Sequence, residues 1–200
     1  MDEEMSAFYM YQIWELTALP SGKQTVGFRW VYTIKYLPNG FVERLKARFV
    51  AKGYTQTYGV DYLETFSLVA RLNSVRILLS VAVSHSWPLY QLDIKNAFLH
   101  KDHQEEVYMD HSPGYVVTGS EHLVCRLRNA LYGLKQSPRA WFDGFSAVVL
   151  GYGFQCSTYD HFVFVRHSST CIVVLIVYVD GIIISGSDSI GIADLKKYPG

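Results

Sequence analysis

Ile172-Val-Val-Leu-Ile-Val-Tyr-Val-Asp180-Gly181-Ile-Ile-Ile184 is a long apolar run broken by one acid and one glycine. β-Branched residues on both sides favour strands, and Asp-Gly supplies the two positive-φ positions of a tight type I′ turn. The run therefore predicts a β-hairpin with Asp180 at its tip. Taken alone, such a turn carries no chemistry, because Asp-Gly is the commonest hairpin connection. Working outward, Gln91-Leu92-Asp93-Ile94-Lys95-Asn96-Ala97-Phe98-Leu99-His100 again puts an aspartate at the end of a short apolar strand. The hairpin run is thirteen residues long with an acid inside it, and a membrane-spanning helix needs roughly 20 apolar residues. It predicts a buried hairpin, with no membrane partner.

Half of the 200 residues are hydrophobic, enough to bury a core in one domain or two closely packed subdomains. Three widely spaced cysteines, Cys125, Cys156 and Cys171, suggest neither a disulfide framework nor a CxxC metal site. The acidic opening Met1-Asp-Glu-Glu-Met5 lacks the basic start of a signal peptide, so the chain is expected not to be secreted. The formal net charge is zero, which argues against holding nucleic acid by overall charge. The distribution is uneven, however. Lys23, Arg29, Lys35, Arg44, Lys46, Arg48 and Lys52 stand against the single acid Glu43 between Gly22 and Lys52, and Arg126, Arg128, Lys135 and Arg139 form a second cluster. Either group suits a phosphate-facing surface; each also suits solvated charge on a sheet face.

Alternation over Val26 to Tyr36 and Phe41 to Ala51, broken by Pro38-Asn39-Gly40, predicts a second hairpin. Arg44, Lys46 and Arg48 recur at every second position of it, so one strand face carries all three. Asn73 or Ser74 is read as the cap of a helix whose apolar residues include Val75, Leu78, Leu79 and Ala82, ending before Trp87-Pro88. Leu89 to Asp93, Glu106 to Met109 and Leu123 to Leu127 read as strands. Ser137-Pro138 reads as the N-cap and first residue of a helix that turns Trp141, Phe145 and Val149 inward and ends at Gly151-Tyr-Gly153. The interleaving predicts an α+β fold around a central antiparallel sheet. Ser21-Gly22-Lys23-Gln24 lacks the Ser or Thr of a phosphate-binding loop, and His100 and His103 have no second ligand pair.

Trp14-Glu-Leu16, Leu19-Pro-Ser-Gly-Lys23, Gly27-Phe-Arg-Trp30-Val31, Val42-Glu-Arg-Leu-Lys46-Ala-Arg48-Phe-Val-Ala-Lys52-Gly53 and Asp61-Tyr-Leu-Glu-Thr-Phe-Ser67 follow one another in order. After Leu92-Asp93 to His100 come Glu105-Glu-Val-Tyr-Met109 and Leu131-Tyr-Gly133-Leu-Lys-Gln136-Ser-Pro-Arg139-Ala-Trp141. Together these resemble the reverse transcriptase domain of a copia-type LTR retrotransposon Pol polyprotein. The resemblance implies fingers and palm subdomains, residues 14–88 mainly fingers and 89–200 palm with an interleaved fingers segment, without a thumb, RNase H or integrase domain. It implies RNA-directed DNA polymerase activity on an RNA or DNA template-primer with dNTPs. Asp93 and Asp180 would be the catalytic carboxylates and hold Mg²⁺, or Mn²⁺. Lys46 and Arg48 would bind the triphosphate, Phe98 would be the steric gate against a 2′-hydroxyl, and Tyr132, Gly133 and Gln136 would line the nucleotide pocket. Location in cytoplasmic virus-like particles and the nucleus is likewise implied.

Three departures stand out. Where the family carries Tyr-Val-Asp-Asp, this chain has Tyr178-Val179-Asp180-Gly181; Lys101 stands where glycine is usual; and the chain stops soon after the hairpin, reading as a cut-short copy. Gly181 is expected to ease the turn while removing a catalytic charge. The alternative to a weakened polymerase is a non-enzymatic transposon remnant retaining at most nucleic-acid or dNTP binding.

Overall fold

The computed structural model describes residues 2–63, 65, 69–93, 106–111, 119–120, 122–178 and 181–197. In chain order the elements are α1 (Asp2–Met10), β1 (Trp14–Thr17), β2 (Thr25–Val26), β3 (Phe28–Tyr36), β4 (Val42–Ala51), α2 (Leu72–Ser84), β5 (Leu89–Asp93), β6 (Tyr108–Met109) and β7 (Val124–Leu127). They continue with α3 (Ser137–Gly151), β8 (Gln155–Cys156), β9 (Val163–His167), β10 (Ile172–Tyr178), β11 (Gly181–Gly186) and α4 (Ser189–Lys197). Helix and sheet are mixed, in two compact units: residues 1–66 with 98–141, and residues 67–97 with 142–200. Helix α2, grouped by sequence with residues 14–88, thus packs with the hairpin's unit.

In the first unit β3 and β4 form a long antiparallel ribbon running from Phe28↔Ala51 to Tyr36↔Val42. Gly40, at φ +86, turns the chain between them, and Asn39 Oδ1 accepts the Phe41 N–H at 3.1 Å. A separate sheet has the order β1-β7-β6-β2. The core centres on Phe49, which is 1% exposed. Phe28 stacks on its ring at 4.5 Å between centroids, and Trp30 and Phe8 meet it edge-on at 5.2 and 5.6 Å. Phe8 comes from α1, a helix absent from the sequence reading, which saw only charge at the N-terminus; Met5 and Phe8 are buried there three residues apart, on one helical face.

In the second unit the sheet order is β5-β11-β10-β9-β8, every pair antiparallel. Alternation gives it two apolar faces. Leu78 and Val75 of α2 pack against Ile176 and Ile183 on one. On the other, Phe142 and Phe145 of α3 meet Phe164 at 6.1 and 5.9 Å, and Lys196 of α4 lies 3.9 Å over the Tyr90 ring.

Three expectations are corrected. The hairpin turn is not Asp180-Gly181: Gly181 opens β11 and pairs with Tyr178, so residues 179–180 make the connection, and they lie outside the described residues. Neither Asn73 nor Ser74 caps α2. Asp160 does so from 86 positions away, its carboxylate accepting the Ser74 hydroxyl at 2.5 Å and the Arg71 N–H at 2.9 Å. Ser137 turns backward, its hydroxyl donating to the Leu131 carbonyl at 2.7 Å, while the Gln136 carbonyl accepts the Ala140 N–H. In contrast, Gly153 ends α3 as expected, with φ +80.

Candidate active site

In the second unit, β5, which ends on Asp93, neighbours β11, which begins one residue after Asp180. β5 runs antiparallel to β11 with Leu89↔Ser185, Gln91↔Ile183 and Asp93↔Gly181. Asp93 therefore stands at the hairpin's turn end, directly across from Gly181, to which Asp180 is bonded. Beyond the end of β9, Val69 bridges Tyr178 and gives β10 a partner at this same end. A Cβ added at Gly181 would meet Tyr178 O at 3.6 Å, Gln91 Nε2 at 3.7 Å and Leu92 O at 3.7 Å, all ordinary contacts. Asp180 itself, Phe98, His100 and His103 lie outside the described residues.

The first unit carries the other expected residues. Paired residues of a ribbon share a face, so Arg48 with Val31, Lys46 with Thr33 and Arg44 with Lys35 put the cations of both strands together, Lys35 and Arg44 directly opposite each other. Burial, with Arg48 and Arg44 beside it, holds the Lys46 ammonium below its ordinary pKa. Glu4 of α1 faces the same strand. Burial raises its pKa, while the Phe49 N–H, which it accepts at 3.4 Å, and the charges of Lys46 and Arg48 oppose the rise.

Tyr132, Gly133 and Gln136 form a loop fastened to the end of that strand. The Ala51 N–H donates to the Tyr132 carbonyl at 2.8 Å, and Gly133 takes φ +93. A Cβ on Gly133 would overlap the Ala51 carbonyl, and one on Gly53 would overlap the Gly133 carbonyl; two glycines let backbone lie on backbone here. Gln136 is buried, its oxygen accepting the Gln56 amide at 3.2 Å, while Gln56 Oε1 accepts the Lys135 N–H at 2.9 Å. No local pattern marks this glutamine pair, whose members are 80 positions apart. Two cations of the second basic cluster are ion-paired: Arg126 reaches Glu15 at 3.3 Å and Glu106 at 3.4 Å, and Arg128 pairs with Glu15. The guanidinium of Arg128 holds Glu15 below the usual carboxylate range. Strand pairing of β1 and β6 with β7 brings these acids in from far away in sequence.

Residues 11–198 match the family model described as Reverse transcriptase (RNA-dependent DNA polymerase). The chain belongs to the reverse transcriptase family. This reverse transcriptase domain is 46% identical, over 191 residues and 95% of its length, to the Retrovirus-related Pol polyprotein from transposon RE2 of Arabidopsis thaliana. It is 46% identical over 189 residues to that from transposon RE1 of the same plant. To that from transposon TNT 1-94 of Nicotiana tabacum it is 40% identical over 197 residues, 98% of its length. The domain spans only 13 to 15% of the length of these curated relatives. No solved structure matches it.

Reverse transcriptases work with divalent cations, and the strand register of this domain offers a test of fit. Carboxylate oxygens are the hard donors that magnesium prefers, and it takes one or two of them from protein. Asp93 ends β5 across from Gly181; the Asp93 side chain and the whole of Asp180 lie outside the described residues. By donor type the two aspartates fit. Among the described residues, which exclude Asp180, no group of three His, Cys, Asp or Glu side chains could hold a metal. The three cysteines are unpaired, Cys125 being buried with its thiol pushed up to about 11, first by that burial and then by Asp110.

Proposed function

We propose that this domain is an RNA-directed DNA polymerase core, joining a primer 3′-hydroxyl to the α-phosphate of a dNTP on an RNA or DNA template with release of pyrophosphate. The observation that carries the reading is the pairing of Asp93 with Gly181, which makes the strand that ends on Asp93 a neighbour of the strand that begins just after Asp180. Asp93 and Asp180 hold the divalent cations, Mg²⁺ or Mn²⁺. Such ions, when bound about 3.5–4 Å apart, stabilise charge on the attacking and leaving oxygens of an in-line displacement.

The remaining residues bind and orient. Arg48 grips phosphate oxygens through its planar fork, and Lys46 adds a point charge. Phe98 excludes a 2′-hydroxyl by bulk. Tyr132 and Gly133 line the nucleotide, and Gln136, its amide committed to Gln56 and the Asp61 carbonyl, holds the shape of their loop. Work in cytoplasmic particles and in the nucleus accords with the retrotransposon relatives; no helix among the described residues is long and apolar enough to cross a membrane.

Primer extension on an RNA template with Mg²⁺ and dNTPs tests the reading, with Asp93→Asn as the control. Extension that Asp93→Asn abolishes is expected; extension indifferent to that change would sink the assignment. Gly181, where a second acid is usual, favours one other reading, a fold that binds dNTPs without turning them over. Mg²⁺-dependent dNTP binding with no product at any enzyme concentration would select it.

A further inference from the structure

Two acceptors that are not strands close the outer edge of β4. Alternate N–H groups of an antiparallel strand point to the same edge. On that edge the Ala51 N–H donates to the Tyr132 carbonyl at 2.8 Å, and the Phe49 N–H donates to Glu4 Oε1 at 3.4 Å. Glu4 is held by a packed helix. Its neighbours on α1, Met5 and Phe8, are buried in the core that contains Phe49, and the Phe8 and Phe49 rings meet at 5.6 Å. A half-buried carboxylate thus stands beside the residue that follows Arg48. Arg48, Arg44 and Lys35 crowd Lys46 with like charge, while Glu4 acts on it with the opposite charge. Lys46 and Arg48 both act on Glu4 in return. Glu4 also precedes residue 11, where the match to the reverse transcriptase model begins, so the polymerase motifs do not account for it.

We propose that Glu4 is a resident counterion of the triphosphate strand, competing with incoming phosphate for Lys46 and Arg48 and so setting the affinity for nucleotide. The assignment rests on the phosphate role proposed above for those two cations. A carboxylate that stays in place repels the phosphate, and one that yields gives up its own attraction to the cations. By either route phosphate is held less tightly than bare cations would hold it.

Calorimetric titration of the full chain with inorganic tripolyphosphate in metal-free buffer tests this without any need for turnover. Glu4→Gln keeps an oxygen for the Phe49 N–H and removes the charge, so it should melt with the parent and bind tripolyphosphate about fivefold more tightly. Glu4→Lys, which adds attraction, should bind tighter still. The advantage should shrink as salt rises from about 0.01 M to about 0.1 M and the screening length falls from about 30 Å to about 10 Å. Binding no tighter than the parent's in a well-folded variant, or an advantage indifferent to salt, overturns the role of Glu4 if Lys46→Ala and Arg48→Ala still weaken binding. Tripolyphosphate binding that is absent from parent and variants alike, or that survives Lys46→Ala and Arg48→Ala unweakened, overturns the phosphate role of the strand and the Glu4 assignment together.

Discussion

Gly181 is a strand residue on both sides, paired with Tyr178 and with Asp93, and a Cβ there would touch nothing nearer than 3.6 Å. The fold therefore does not require glycine at this position. Gly181→Asp is expected to unfold within about 0.5 kcal/mol of the parent. If the restored acid adds about 3 kcal/mol of transition-state stabilisation, extension should rise about a hundredfold, as single-nucleotide extension would read directly. Equal rates in the two well-folded proteins would place the defect elsewhere. Asp160 is the opposite case, a carboxylate the fold does require. Burial pushes its pKa up, but the Ser74 hydroxyl and the N–H groups of Arg71 and Phe162 outweigh it and hold the group below its ordinary value. A depressed folded pKa contributes stability above the unfolded value of about 3.9, lost as pH falls through the folded value. Asp160→Asn should cost about 1–3 kcal/mol in urea at pH 7, and the gap should close as the parent is taken toward pH 3 and below.

At the scale of elements, close backbone contacts of Gly133 with Ala51 and with Gly53 fasten the loop of residues 132–136 to the end of β4 and the turn after it, and no side chain fits between them. Gly133→Ala meets both a left-handed φ of +93 and the Ala51 backbone, so a cost of about 2–4 kcal/mol is expected on thermal unfolding. Gly153→Ala is the control. Its φ is +80, but nothing lies within 4 Å, and about 1 kcal/mol should suffice. A cost for Gly133→Ala no larger than the control's would show that the backbone contact does not matter. The elements also show what a sequence can and cannot disclose. The β3–β4 ribbon was legible because alternation and Asn39-Gly40 are local signals. The cap of α2 was not, since its carboxylate comes from Asp160, and α1 was hidden because the acids of its first turn read as solvated charge while Met5 and Phe8 needed Phe49 to bury against. The hairpin turn was misread by one residue: Asp-Gly is a turn signature, but pairing of Gly181 with Asp93 on a third strand draws the glycine into the sheet.

Over the whole molecule, Lys and Arg number 18 and so do Asp and Glu, so any grip on a polyanion must come from how the charges are arranged. Sequence showed two basic groups and gave no means of choosing between them, because ion pairs across strands are decided by register. Register now separates them. Arg126 and Arg128 are taken up by Glu15 and Glu106. The ribbon aligns Arg44, Lys46 and Arg48 with Lys35 on one face, with Glu4 near Lys46 and Arg48, an arrangement that repels itself across Lys35 and Arg44 and that an anion would relieve. Each cation that neutralises a phosphate releases about one counterion, so it contributes nearly one unit to the slope of log affinity against log salt. Binding of a fluorescent RNA–DNA primer-template, followed by anisotropy across a salt series, should lose about one unit of slope in Lys46→Ala and again in Arg48→Ala. Arg126→Ala and Arg128→Ala should leave the slope unchanged, because a guanidinium already held by a carboxylate has little charge left to offer a phosphate. The reverse pattern would move the nucleic-acid surface from the ribbon to the β1-β7-β6 sheet.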